Sequence, residues 1–88
     1  MAIDLHRPYR LNPAVAVRPE PFGALIYHFG NRRLSFLKTR QLVTVVRLLA
    51  NHDSAAGALD AAGVPAGQWP RYAAALTALA DSEVIDAR

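Results

Sequence analysis

The three histidines, His6, His28 and His52, lie far apart in the chain, and none forms the His-x-x-x-His or His-Glu pairing that would put two metal ligands, or a ligand and a base, on one helical face. They read as surface or half-buried imidazoles. Cysteine is absent, which removes thiol nucleophiles, disulfides, Cys-type zinc sites and iron–sulfur ligation together. Ser35, Ser54 and Ser82 lack a nucleophile-elbow setting, and the glycines do not form a Gly-x-Gly-x-x-Gly turn. The single lysine, Lys38, follows no phosphate-cradling loop. Asp53, Asp60, Asp81, Glu83 and Asp86 read as caps and solvated faces, not as an acid–base pair. Catalysis is left without residues to carry it, and no cofactor is expected.

Charge is the feature that remains. Residues 1 to 50 hold eight Lys or Arg against two acids, whereas residues 51 to 88 hold two against five. A basic partner surface therefore belongs to the first half. Four of its cations, Arg32, Arg33, Lys38 and Arg40, bracket one short alternating segment, Leu34 to Leu37.

The elements that must position this cluster follow from periodicity. Ala14 to Arg18 reads as a short strand ended by Pro19 and Pro21, since proline donates no ladder hydrogen bond. Phe22 to Phe29 alternates Leu25, Tyr27 and Phe29 with Ala24, Ile26 and His28, the best strand pattern in the chain. Gly30-Asn31 is a turn dipeptide suited to positive φ, and Arg33 to Leu37 returns as a third strand. After Thr39, a plausible N-cap, the period changes: Leu42, Val45, Val46 and Leu49 share one helical face, predicting a helix over 39–51. A short alanine-rich helix over 55–62 stops at Gly63, and Trp69, Tyr72, Leu76 and Leu79 mark a third helix over 69–81 with Pro70 in its first turn. Val84-Ile85 is a final apolar pair that covers one end of the core.

The fold class is thus α+β, a three-stranded antiparallel sheet followed by three helices, in a winged helix-turn-helix-like arrangement. With 88 residues there is room for one domain, residues 14–88, preceded by an arm over 1–13. Apolar residues at 52% and charged ones at 19% exclude a disordered chain. Asp4 and Arg7 break any export signal, and Arg47 interrupts the longest apolar stretch, Leu42 to Ala50. A cytoplasmic protein without a membrane partner is expected.

This topology is shared by many DNA-binding proteins, which read the major groove with their last helix. Here that helix offers Gln68, Arg71 and Thr77 among alanines, and one cation cannot neutralise several phosphates. No nucleic-acid partner is expected, although a small DNA-binding regulator is the competing function. The basic hairpin has two compatible uses. Its cations keep an open sheet edge from pairing with other copies, and they attract an acidic peptide that adds as a further strand. An open edge also permits a homodimer.

Arg18-Pro-Glu-Pro-Phe-Gly-Ala-Leu-Ile-Tyr-His-Phe-Gly30, followed by Arg33-Leu-Ser-Phe-Leu37, resembles the signature of the mycofactocin-system peptide chaperones. These belong to the PqqD-like recognition elements of ribosomally made, post-translationally modified peptides. The resemblance runs from about Leu11 to Ile85. It implies a carrier without catalytic residues that binds the leader of a precursor peptide as an added antiparallel strand. It also implies delivery of that leader to a radical S-adenosylmethionine maturase, which in the mycofactocin system modifies a C-terminal Val-Tyr. Carried over by position, the pairing edge is Asn31, Arg32, Arg33, Leu34, Ser35, Phe36 and Leu37. The opposite wall is Arg71, Tyr72, Ala75, Leu76 and Leu79. Arg32 and Arg33 would meet acidic leader side chains, and Phe36, Leu37 or Tyr72 would border apolar pockets. The Arg18 to Phe22 segment either touches the maturase or shapes a tight turn.

Overall fold

The computed structural model describes residues 3–88. In chain order its elements are β1 (Tyr9–Leu11), β2 (Val15–Glu20), β3 (Gly23–His28), β4 (Leu34–Leu37), α1 (Arg40–Leu48), α2 (Ala55–Ala61), α3 (Trp69–Asp81) and β5 (Ile85–Ala87). A 3-10 turn, Leu49–Asn51, continues α1, and another, Ala66–Gln68, leads into α3. The chain is α+β, with a three-stranded antiparallel sheet in the order β2-β3-β4 and three helices.

β3 is central because its alternation satisfies two demands at once. Ala24, Ile26 and His28 turn inward and are buried, while Leu25 and Tyr27 turn outward. Pairing extends over Val15–Glu20 with His28–Gly23 on one side and over Leu34–Leu37 with Tyr27–Ala24 on the other. Helices then close the inner face. Thr39 caps α1 by accepting from the Leu42 N–H at 3.1 Å, and Leu42, Val45 and Val46 fall on the buried side. Ser54 caps α2 in the same way through the Gly57 N–H. Ala55 and Ala58, both fully buried beside Leu59, allow α2 to lie close to its neighbours. The Trp69 indole N–H, at the start of α3, donates to the Val64 carbonyl, and Tyr72, Leu76 and Leu79 face the core.

Three details differ from the sequence expectation, each for a physical reason. β2 does not stop at Pro19 but runs to Glu20. The Phe29 N–H donates to the Ala14 carbonyl, so the pairs two, four and six residues along are the hydrogen-bonded ones, and Pro19 opposite Ala24 falls between them. At that position on an edge strand the missing N–H would have pointed to solvent. The positive φ in the β3–β4 turn lies at Arg32 (61°), not at Gly30 or Asn31. Gly30 is small for another reason: a Cβ there would stand 2.8 Å from the His28 imidazole.

The third difference is a second, two-stranded sheet in which β1 pairs antiparallel with β5, Tyr9 opposite Ala87 and Leu11 opposite Ile85. It ties the N-terminal arm to the end of the chain. The arm also serves α2, whose Ala55 and Ala56 N–H groups donate to the Arg7 and Leu5 carbonyls. Met1 and Ala2, which open the arm, lie outside the described residues.

Gly23 closes the β2–β3 turn where the end of β4 passes over it. A Cβ on Gly23 would lie 2.1 Å from the Leu37 carbonyl oxygen, a backbone atom with no freedom to swing aside. Gly23→Ala is therefore expected to push β4 off β3 and to destabilise by roughly 1–3 kcal/mol. At about 4–8 °C per kcal/mol for a domain of this size, thermal unfolding should register a fall on the order of 10 °C. An unchanged midpoint would contradict the close approach.

Candidate functional site

β4 is one of the two free edges of the larger sheet, β2 being the other: among the described residues its only strand partner is β3. Which backbone groups it offers follows from the ladder. The His28 N–H donates to the Arg33 carbonyl at 3.0 Å, so Ser35 opposite Ile26 and Leu37 opposite Ala24 are also hydrogen-bonded pairs. Leu34 and Phe36 alternate with them, and their N–H and C=O groups point outward. An added strand would pair with these two residues first.

Beside this edge runs α3, and between them opens a groove of about 400 Å³. Its floor and far wall are apolar, from Leu42, Tyr72, Ala75, Ala78 and Leu79; Phe36 forms the near wall, and Lys38, Thr39 and Arg71 stand at the rim. No carboxylate lines it. Tyr72 is held by its hydroxyl, which donates to Gln41 Oε1 at 3.3 Å while Gln41 Nε2 donates to the Ala62 carbonyl. The ring is thus fixed through α1 to the C-terminal end of α2, and it lines the groove without an unpaired hydroxyl.

Of the residues predicted for the site, Phe36, Arg71, Tyr72, Ala75 and Leu79 come together around this groove. Leu37 and Leu76 do not: both are fully buried, so their side chains are core and the apolar pocket expected at Leu37 is not there. Leu34 is exposed on the same outer face of the sheet as Phe36 but does not line the groove, and Ser35 is half-buried on the inner face. Arg33 is exposed, and Asn31 and Arg32 build the turn. Three lining residues, Thr39, Leu42 and Ala78, were not among those predicted for the edge or the wall, and Lys38 was named only as a cation flanking the hairpin. Ala78 lies one helical turn beyond Ala75, and Leu42 one turn beyond the Thr39 cap, so helical spacing was the available signal.

The turn that carries Arg32 is braced from within. His28 is only 5% exposed, not a surface imidazole, and its Nδ1 accepts from the Gly30 and Asn31 N–H groups at 2.9 and 3.1 Å. Accepting twice, Nδ1 carries no proton; Nε2 is enclosed without a partner. Asn31 adds an outer tie: its Oδ1 accepts from the Arg33 N–H, and its amide donates to the Ser82 carbonyl and Glu83 Oε2. The basic hairpin is thereby anchored to the end of α3, the other wall of the groove.

The remaining chemistry is sparse. No three His, Asp or Glu side chains among the described residues stand close enough to hold a metal ion. No helix among them is long and apolar enough to cross a membrane. A depression of about 480 Å³ between the arm and β5 is lined by Asp4, Arg7, Asp81 and Asp86 among others, so that, unlike the groove beside β4, it carries several carboxylates.

Comparison with known proteins points in one direction. The family model described as the peptide chaperone MftB family matches residues 8–86. The chain is 52% identical over 84 residues to the peptide chaperone MftB of Mycobacterium ulcerans (strain Agy99), a match covering 96% of this chain and 77% of that protein. It is 56% identical over 77 residues to the peptide chaperone MftB of Mycolicibacterium smegmatis (strain ATCC 700084 / mc(2)155), covering 88% and 76%. Against that of Mycobacterium tuberculosis (strain ATCC 25618 / H37Rv) the figures are 50% over 82 residues, 93% and 75%. No solved structure matches.

Proposed function

Because this chain belongs to the MftB peptide chaperone family, we propose that it is a non-enzymatic carrier of a mycofactocin precursor peptide, binding the leader as an antiparallel strand added along β4 and facing α3. The carrier then presents that peptide to a radical S-adenosylmethionine maturase. The observation that carries the reading is the open backbone of Leu34 and Phe36 beside an apolar, cation-rimmed groove. Asn31 to Leu37 supply the pairing edge, and Arg71, Tyr72, Ala75 and Leu79 the opposite wall. Leu76, fully buried, supports that wall from behind. We read the architecture as winged helix-turn-helix-like and the protein as cytoplasmic. Family membership favours this function over DNA binding, and Arg71 is the only cation α3 could bring to a phosphate backbone.

Arg32 supports the same reading. A left-handed φ at a residue with a Cβ is disfavoured by roughly 1–2 kcal/mol, and glycine or asparagine would have relieved it. The cation is held there at the expense of stability. Arg32→Gly is expected to raise the melting temperature and to weaken the binding of an acidic leader.

The test is a titration of the cognate precursor leader into isotope-labelled protein. Amide shifts should concentrate on residues 32–38 and on α3, and Arg32→Gly should need more peptide to reach saturation while unfolding at higher temperature. Saturable binding that perturbs β1, β5 or the outer edge of β2 instead would overturn the site.

A further inference from the structure

The sheet face turned away from the helices carries Phe22, Leu25, Tyr27, Phe29, Leu34 and Phe36. Four of these, Phe22, Phe29, Leu34 and Phe36, are 47–64% exposed. They are contiguous. The rings of Phe22 and Phe36 stand 6.4 Å apart, those of Tyr27 and Phe29 meet edge-on at 4.8 Å, and the register sets Leu25 opposite Phe36 and Tyr27 opposite Leu34. The core is complete without them, since the inner face and helices bury their own set. An aromatic patch of this kind on a small domain marks an interaction surface.

What covers it can be argued from geometry and charge. A strand added to β4 lies in the plane of the sheet and leaves this face open. Alternation places Arg18 and Lys38 on the same face, with the exposed Arg32 and Arg33 at its border; its carboxylate is Glu20, already paired with Arg18 at 3.2 Å. A second copy docked face to face would oppose these cations to one another. A partner whose apolar patch is bordered by aspartates and glutamates would not.

We infer that this outer face docks the enzyme that receives the peptide, through an apolar, carboxylate-bordered surface of that enzyme. The inference rests on the proposed carrier function. It has a mechanical consequence: guest residues opposite Leu34 and Phe36 project onto the same face, so the loaded carrier presents a wider surface than the empty one. The enzyme should therefore bind the loaded carrier more tightly, and by linkage should tighten leader binding by the same factor.

The experiment uses the purified maturase of the same system as probe, titrated by calorimetry against the wild-type carrier, Phe22→Ser/Phe29→Ser and Arg18→Glu, each with and without leader. Phe22, Phe29 and Arg18 lie outside β4 and are exposed, so thermal unfolding should confirm intact folds. Leader affinity is expected to stay within about twofold, whereas enzyme affinity should fall about tenfold or more in the aromatic variant. Enzyme binding unchanged in both variants overturns the docking face alone. A wild-type carrier that binds leader but never the enzyme overturns delivery itself, and the docking face with it.

Discussion

Phe36→Pro is expected to remove most of the leader affinity while leaving the domain folded. The N–H of Phe36 points away from β3, so the ring deletes no hydrogen bond of the protein's own ladder. A guest strand, by contrast, loses a donor at the centre of its pairing, and its carbonyl is left unpaired at about 1–3 kcal/mol, or roughly ten- to hundredfold in affinity. Two controls separate backbone from side chain. Phe36→Ala keeps the N–H and removes only the ring, so the excess loss in the proline variant measures strand addition. Ser35→Pro breaks a bond to Ile26 inside the sheet and should lower the melting temperature instead. Calorimetric titration with the leader, alongside thermal unfolding, reads both. A proline variant that binds like the alanine one would rule out an added strand along β4.

Why that experiment can be aimed at Phe36 shows what the sequence could and could not convey. Alternation from Ala24 to His28 and from Leu34 to Leu37 located the hairpin, and helical spacing from Leu42 to Leu49 and from Trp69 to Leu79 located the flanking helices. The orientation of each N–H was not legible, because it depends on hydrogen-bond alternation, which is set by where the turn closes. Proline at 19 suggested a strand end for the same reason: the residue type says that a donor is missing, not which way it would have pointed. The β1–β5 ribbon escaped notice because two three-residue strands carry too short a period to detect, and they pair 74 to 78 residues apart in the chain. The groove was read from its walls but not its floor. Tyr72 was named from its place on the helix, yet the bond that fixes it reaches Gln41 and through it Ala62, a tertiary arrangement with no local signature. His28 is the sharpest instance: its neighbours in sequence suggest an ordinary strand residue, whereas its ring holds together the turn that bears Arg32.

The same register yields a second large effect, on the choice between self and guest. Two copies can pair through β4 about a two-fold axis only if outward-pointing residues meet, and the register centred on Ser35, which sets Leu34 of each copy opposite Phe36 of the other, uses both outward-pointing residues of the strand. That register brings Arg32, in the turn before β4, toward Lys38 of the other copy, just beyond the end of its β4. Like charges directly opposed cost about 0.2–1 kcal/mol each, and symmetry doubles the number. On the proposed function, the charges that would draw an acidic strand to this edge thus work against pairing with a second copy. Arg32→Glu turns both oppositions into attractions, so this variant is expected to dimerise and to lose about tenfold in affinity for an acidic leader. Replacing Arg32, Lys38 and Arg40 all by glutamate restores like-charge repulsion, and that protein should again be monomeric while preferring a leader whose acids have been exchanged for lysines. Sedimentation velocity and fluorescence anisotropy with the two peptides distinguish the three proteins. If the triple variant still favoured the acidic leader, or the single variant stayed monomeric, charge at this edge would not be what selects the occupant.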